Sequence, residues 1–325
     1  MIDITTKYAG LTLRNPLIVG SSGLTSVPEK IKEYEKAGAG AVVLKSLFEE
    51  QIEMQSVSLL RESDFPEAID YIHEYVKSNQ VNQYLELIKK TKAICGIPII
   101  ASINCHRVDA WIDFAHQIEL AGADAIELNV YYMDTDITYG NETNNEVYAN
   151  IIRKVKETVS IPVTMKIGKS FNNIPTFVHL LKTNGADGVV LFNRLYQPDI
   201  NIHTMQIISG NVFSSHSDLS DTLRWTAIVS GRVPDISIAS STGVHDWEDV
   251  VKCLLAGASA VQMVSAIYTH GPEIIPQILI CIEEWMNQTK YYSLSQFQST
   301  LNYAHIKSPN MYERAQFMKY FSNRD

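Results

Sequence analysis

The chain has 325 residues and a formal net charge of −9, with acidic and basic side chains mixed along its length, so it offers no basic face to nucleic acid. Its apolar content is that of an ordinary globular protein, and no stretch approaches the roughly 20 apolar residues of a membrane span. The four cysteines, at 95, 105, 253 and 281, form no C-x-x-C pair; they read as buried small apolar residues, with no metal or iron–sulfur centre expected.

Residues 1–6 carry neither a basic segment nor an apolar core, so no signal peptide is expected and the cytoplasm is the expected compartment. Residues 3–13 alternate around Ala9-Gly10, which predicts a β-hairpin plugging the amino-terminal mouth of a barrel. Strand one is predicted at 15–20 and a helix at 28–38, opened by Pro28 in its first turn. Strand two (41–45), a helix near 78–94, strand three (97–103), a helix at 107–121 and strand four (124–130) follow. Next come a helix at 144–158, strand five (161–167), a helix at 174–184, strand six (187–193) and a helix near 219–231. Strand seven (235–241), a helix at 246–256, strand eight (259–264) and a helix at 272–288 complete the pattern, with one or two short helices from 293 on. The connections 46–77 and 194–218 are too long for turns and read as functional lids. Neither could bury a core of its own, so residues 1–325 are expected to form one domain.

Two interleaved series fix the fold class. A Gly-Ala turn precedes an apolar run at Gly38-Ala39-Gly40-Ala41, Gly122-Ala123-Asp124-Ala125, Gly185-Ala186-Asp187-Gly188 and Gly257-Ala258-Ser259-Ala260. Between these, Pro16, Pro98, Pro162 and Pro234 each stand at a strand entrance, where no essential ladder bond is lost. Eight strands of two alternating types, separated by helices, predict an α/β fold: a parallel (β/α)8 TIM barrel with an N-terminal hairpin and long βα loops after strands two and six. Active sites of such barrels lie at the carboxyl ends of the strands, where Lys45, Asn129, Lys166, Asn193 and Ser265 fall.

Ser240-Ser241-Thr242-Gly243-Val244 after strand seven and Val264-Ser265-Ala266 after strand eight suit a phosphate cradle, being small, hydrogen-bonding and permissive of close approach. Helix capping is the plainer reading of the same residues. Lys45 and Lys166 end strands two and five and face the mouth from different sides. A lysine closing an apolar run can hold positive charge against an electron-rich cofactor ring, act as a Schiff-base nucleophile, or pair structurally with Glu127. Asn129 and Asn193 can donate and accept at once, which suits a heteroaromatic ring. His106 could supply a proton or simply cap a helix. Glu49-Glu50 read as a solvated loop face, and Tyr131, Trp225 and Trp247 as packing residues. Asp134-Thr135-Asp136 lack the glycine and glutamate of a calcium loop.

Six segments, in order along nearly the whole chain, resemble the dihydroorotate dehydrogenase family, closest to its soluble class 1 members. Asn15-Pro16-Leu17-Ile18-Val19-Gly20-Ser21-Ser22-Gly23 is similar to the family's flavin-lining Asn-Pro…Ala-Ser-Gly. Gly40-Ala41-Val42-Val43-Leu44-Lys45-Ser46 resembles its flavin-contacting Lys-Ser. Glu127-Leu128-Asn129 matches Glu-Leu-Asn, and Met165-Lys166-Ile167 matches Val-Lys-Leu. Ser241-Thr242-Gly243-Val244 and Gln262-Met263-Val264-Ser265 resemble the phosphate segments Thr-Gly-Gly-Ile and Gln-Ile-Gly-Thr. The resemblance implies FMN as cofactor, held by Ser21, Ser22, Gly23, Lys45, Ser46, Asn129, Lys166, Thr242, Gly243, Val264 and Ser265. It places Lys166 near the flavin N1–C2 carbonyl edge and implies a homodimer.

The substrate half departs from the family pattern. Where the family carries a Cys or Ser base after strand four, Tyr132 stands in Asn129-Val130-Tyr131-Tyr132-Met133-Asp134, and a phenol is a poor base unless a cation lowers its pKa. Asp134 replaces a ring-binding asparagine, Arg61 another, and Arg194 replaces a serine beside the matching Asn193. The glycine pair after strand six appears as Ser215-His216. The reading is an FMN-dependent oxidoreductase acting on dihydroorotate or another small anionic substrate with an oxidisable C–C bond. Tyr132, Lys45 and Lys166 are its candidate catalytic groups. Arg61, Asn129, Asp134, Asn193 and Arg194 are its candidate substrate contacts, and the electron acceptor is unassigned. The alternatives are a lysine-dependent lyase using Lys166 and a flavin-binding subunit whose partner takes the electrons.

Overall fold

Short runs of apolar residues, each buried along its whole length, form the wall of a closed cylinder. The computed structural model describes residues 2–61, 69–105, 108–131, 144–194 and 197–313. Its barrel strands are β1 (Leu17–Val19), β2 (Ala41–Val43), β3 (Ile99–Asn104), β4 (Ala125–Asn129), β5 (Val163–Ile167), β6 (Gly188–Leu191), β7 (Ser237–Ser241) and β8 (Ala260–Met263). Each pairs in parallel with the next, and β8 closes onto β1 through Val261 opposite Leu17 and Gln262 opposite Ile18. The outer helices are α1 (Pro28–Ala37), α2 (Glu49–Arg61), α3 (Ile69–Ile94), α4 (Val108–Leu120), α5 (Asn144–Thr158), α6 (Ile174–Thr183), α7 (Leu219–Arg232), α8 (Trp247–Ala256), α9 (Ser265–His270) and α10 (Ile274–Thr289).

The two sequence series interlock physically. In the second and third Gly-Ala copies the aspartate that follows the turn reaches the neighbouring proline-led strand. Asp124 accepts from the Ile99 N–H at 2.7 Å and pairs with Lys92 at 2.7 Å. Asp187 accepts from Val163 at 2.7 Å and pairs with Lys156 at 2.9 Å. In the first copy Gly38, at φ 111°, caps α1, and its carbonyl accepts from the buried Asn15 side chain at 2.7 Å. Gly40 then passes so close to Asn15 that a Cβ would lie 2.3 Å from the Asn15 carbonyl oxygen.

The N-terminal hairpin, Thr6–Tyr8 paired with Leu11–Leu13, seals the amino end as expected. Tyr8, Ala9 and Leu13 pack with Ile18, Val43 and Ile100 inside the barrel, and Thr6 Oγ1 donates to the Ser259 carbonyl at 2.8 Å. The carboxyl end is the open one.

Four features depart from the sequence reading. The connection after β2 holds a two-residue strand, Leu47–Phe48, that extends the sheet beside Ile103 and Asn104, then α2; and α3 begins at Ile69 rather than near 78. Glu49, expected in a solvated loop, is buried at the start of α2, while Glu50 is exposed. The connection after β6 is an antiparallel ribbon, Pro198–Asn201 with Gln206–Ser209. Tyr131, expected to pack, is exposed, whereas Trp225 and Trp247 pack against the core. The cysteines are free; three are buried, and burial pushes the Cys253 thiol up to about 12. Among the described residues no helix is long and apolar enough to cross a membrane.

Gly40→Ala is expected to cost about 2–3 kcal/mol, because backbone must move to admit the methyl. Gly122→Ala, at φ 92° with open space around it, should lose only about 1 kcal/mol to backbone strain. Urea denaturation of both variants checks the difference, and equal losses would contradict the close approach.

Candidate active site

An isolated ammonium inside an apolar barrel would be prohibitive, so Lys166 on β5 comes with partners. Its Nζ donates to Gln262 Oε1 at 2.9 Å, and Gln262 Nε2 donates to Glu127 Oε2 at 2.5 Å. Glu127 Oε1 lies 3.7 Å from the ammonium, with the carboxylate side chain 1% exposed and the lysine 8%. Three barrel strands, β4, β5 and β8, therefore meet in one buried polar chain. The pairing of Lys166 with Glu127 considered from sequence is present; the amide that links them was not anticipated, although Gln262 stands inside a recognised motif. Burial and the Glu127 charge push the Tyr8 phenol, beneath this chain, far above its ordinary value.

Lys166 and Gln262 border a cavity of about 210 Å³ at the open end. Ser21, Asn193, Thr242, Gly243, Val264 and Ser265 line it too, so the loops after β7 and β8 converge as expected. Thr242 adopts φ 81°, a left-handed conformation uncommon for a β-branched residue, and its hydroxyl donates to the Phe192 carbonyl at 3.1 Å. Gly243, at φ 88°, leaves no room for a side chain: a Cβ would lie 2.2 Å from the Leu219 backbone nitrogen. Among the described residues the lining holds two cations, Lys166 and Arg194, and no carboxylate. Such a lining favours an anionic ligand.

Arg194 borders the cavity, but its guanidinium faces the lid. Nη2 donates to the carbonyls of Asn211 and Phe213 at 2.8 and 2.9 Å, Nε donates to that of Val212 at 3.3 Å, and Nη1 lies 3.4 Å from Asp218. This clip lays Val212, Phe213 and Ser214 along the cavity wall. Sequence reading missed those residues, since their path depends on the ribbon before them. Asn193 Nδ2 donates to Asn129 Oδ1 at 2.7 Å, bringing the two predicted asparagines together.

Lys45 and Lys166 do not share one cavity. Lys45 is exposed and borders a neighbouring cleft of about 230 Å³ with Ser46, Gln51, Gln80, Gln83 and Tyr84. Ser46 Oγ lies 3.1 Å from Ser21 Oγ and 2.7 Å from Ser102 Oγ, a hydroxyl chain standing between the two spaces. Ser22 caps the turn Gly23–Thr25, and a Cβ on Gly23 would meet the Tyr268 hydroxyl at 2.8 Å. Tyr132, Asp134 and His106 lie outside the described residues, as do Glu62-Ser63-Asp64-Phe65-Pro66; Arg61 ends α2.

Behind the phosphate-like end stands a second polar group that sequence reading did not single out. His216 Nδ1 lies 2.8 Å from the buried Asp249 carboxylate and 3.9 Å from Asp246, and its ring is 4.9 Å from that of His245. Burial and then His216 hold the His245 pKa below the usual imidazole value, against the opposing pull of Asp249 and Asp246.

Comparison with known proteins places the chain in a family. A family model described as dihydroorotate dehydrogenase matches residues 3–286. The chain is 32% identical, over 82% of its length and 88% of the relative's, to a protein of Methanocella arvoryzae named dihydroorotate dehydrogenase B (NAD(+)), catalytic subunit. Proteins of the same name from Thermoplasma acidophilum and Pyrococcus furiosus are each 26% identical to it, over 90% and 91% of this chain and 97% of each relative.

Gln262→Ala removes the amide that hydrogen-bonds both a buried carboxylate and a buried ammonium, and is expected to lower stability by about 2–4 kcal/mol. Gln262→Glu adds a second acid to the same space and is expected to be worse than conservative size suggests. Chemical denaturation of the two variants at neutral pH measures this; a loss below about 0.5 kcal/mol in both would contradict the network.

Proposed function

The chain belongs to the dihydroorotate dehydrogenase family, a family of flavoproteins, and we propose that it binds FMN across the open end of the barrel and oxidises a small anionic substrate at a C–C bond, (S)-dihydroorotate being the first candidate. The chain is an oxidoreductase of that family acting on CH–CH groups. One observation carries the cofactor assignment: a cavity lined, among the described residues, by no carboxylate has a fixed ammonium at one side and a cluster of hydroxyls and close-packed glycine backbone at the other. That donor set fits a flavin mononucleotide, whose ring gains negative charge on reduction and whose tail is an anion.

When bound, FMN supplies a hydride acceptor. The protein's residues supply position and charge. Lys166, held by Gln262 and Glu127, presents a cation that needs no reorganisation as negative charge develops beside it. Asn129 and Asn193 present amides from the ends of β4 and β6, on either side of β5. Thr242, Gly243, Val264 and Ser265 would hold the phosphate end, and Ser21, Ser22, Gly23, Lys45 and Ser46 are the further candidate cofactor contacts. Arg61 and Asp134 remain candidate substrate contacts, Arg194 acts on the substrate side through the lid it clips, and Tyr132 takes the proton from substrate carbon. A Schiff-base role for Lys166 is disfavoured, since its Nζ donates to Gln262 and lies 3.7 Å from the buried Glu127 carboxylate, surroundings that suit an ammonium rather than a nucleophilic amine.

The electron acceptor belongs to a partner subunit, a reading supported by the relatives' designation as catalytic subunits. The protein acts away from membranes, in the cytoplasm, as a homodimer. The ribbon after β6 supports the dimer: Ile200 and Ile207 are cross-strand partners, 64% and 76% exposed, beside Ile202 and Met205 at 73% and 84%. Such an apolar patch marks an interaction surface.

Anaerobic titration of the holoprotein with dihydroorotate and a panel of small carboxylic acids is expected to bleach its visible absorbance with one of them, and failure with all would overturn the proposed reaction class. Tyr132→Phe should slow that bleaching about 100-fold or more with flavin content unchanged. Ile200→Asp with Ile207→Asp should convert the dimer to monomer by light scattering; a monomeric wild-type protein would exclude the homodimer.

A further inference from the structure

His245 follows the phosphate-like loop directly, and its side chain ends on that loop's neighbours. Nε2 lies 3.1 Å from Ser214 Oγ. Ser214 Oγ in turn donates to Ser265 Oγ at 3.1 Å, and the Ser214 backbone N–H donates to the same oxygen at 3.0 Å. A serine hydroxyl has one proton and two lone pairs. Ser265 Oγ thus receives two hydrogen bonds, and among the described residues its own proton has no acceptor. Ser214 has given its proton to Ser265, so towards His245 it accepts. Both Ser214 and Ser265 line the cavity, whereas His245 stands behind them.

We infer that His245 is a positioning residue for a phosphate monoester: as an Nε2–H donor it fixes the sense of the chain His245, Ser214, Ser265 and leaves the Ser265 hydroxyl to donate to a phosphate oxygen. The inference rests on the FMN reading and names the device that distinguishes FMN from riboflavin in this chain. Both the neutral Nε2–H tautomer and the imidazolium can donate in this direction, so the device needs no change of protonation. The surroundings hold the imidazole in place. Its backbone N–H donates to Asp249 at 3.1 Å, Asp249 also meets His216 Nδ1 at 2.8 Å and Lys252 Nζ at 3.2 Å, and Asp246 caps α8 alongside. These charges face His245 from the loop before α7 and from α8 itself. A relay of this kind strengthens each bond that follows it and costs little to reorganise when the anion arrives.

The test compares FMN with riboflavin, which lacks the phosphate. Flavin-free wild-type protein and its His245→Leu and His245→Gln variants are titrated with each flavin by fluorescence quenching. His245→Leu is expected to weaken FMN about tenfold while riboflavin affinity stays within about twofold, since the chain that orients the Ser265 hydroxyl towards the charged phosphate is broken and the ring site is untouched. His245→Gln keeps an N–H donor at nearly the same position and is expected to restore FMN affinity to within about threefold of wild type. Equal weakening of both flavins in His245→Leu would show a merely structural role and overturn the inference, as would unchanged FMN affinity or failure of the glutamine to rescue. Wild-type protein that binds neither flavin would overturn the cofactor assignment itself, an outcome distinct from the rest.

Discussion

A cation buried in the wall of an apolar cylinder is the constraint on which the rest of the molecule depends. Removing Lys166 and Glu127 from water costs several kcal/mol for each ion, and only close geometry with satisfied hydrogen bonds offsets it. Gln262 meets much of that demand by accepting from one and donating to the other, while Glu127 Oε1 has only the ammonium 3.7 Å away. The hairpin that closes the amino end with Tyr8 and Leu13 keeps water from the far side, so the lysine's charge is expressed toward the mouth. A preorganised charge at an open strand end, inside low-dielectric walls, is what a reaction that develops negative charge requires.

The two long connections divide the remaining work. The first carries Leu47–Phe48 and two helices and sets Lys45 in its own cleft, joined to the main cavity by the Ser21–Ser46 contact. The second crosses the opposite side as a ribbon and returns over the cavity under the hold of Arg194. An arginine that reads from sequence as a carboxylate grip is here the clip for three consecutive carbonyls, Asn211 to Phe213. The lid, the phosphate-like loop and the start of α7 consequently meet at one corner, where Gly243 touches Leu219 and Ser214 touches Ser265.

Much of this was legible in the sequence. The strand order, the hairpin plug and the convergence of Thr242, Gly243 and Ser265 follow from local rules. Glycine turns, strand-entry prolines and apolar runs act over a few residues, and the barrel repeats them. Asp124 and Asp187 show why the repeat is so readable, since these two copies bind the adjacent strand in the same way. What was not legible depends on distant partners. Gln262 is an ordinary polar residue until β4 and β5 bring Glu127 and Lys166 to it. Val212 and Phe213 reach the cavity because Arg194, about one ribbon earlier in the chain, binds their carbonyls. Glu49 looked solvated beside Glu50 because nothing in the local pattern signals that α2 starts there, half of the pair turned inward.

The account stands or falls on the occupant of the cavity bordered by Lys166 and Ser265. The most direct measurement is the flavin content of the purified protein: denature it, identify the released chromophore by mass spectrometry and quantify it against protein. The account predicts FMN at close to one molecule per chain, either as isolated or after incubation with FMN. A colourless protein that takes up no FMN under any of these conditions would contradict it.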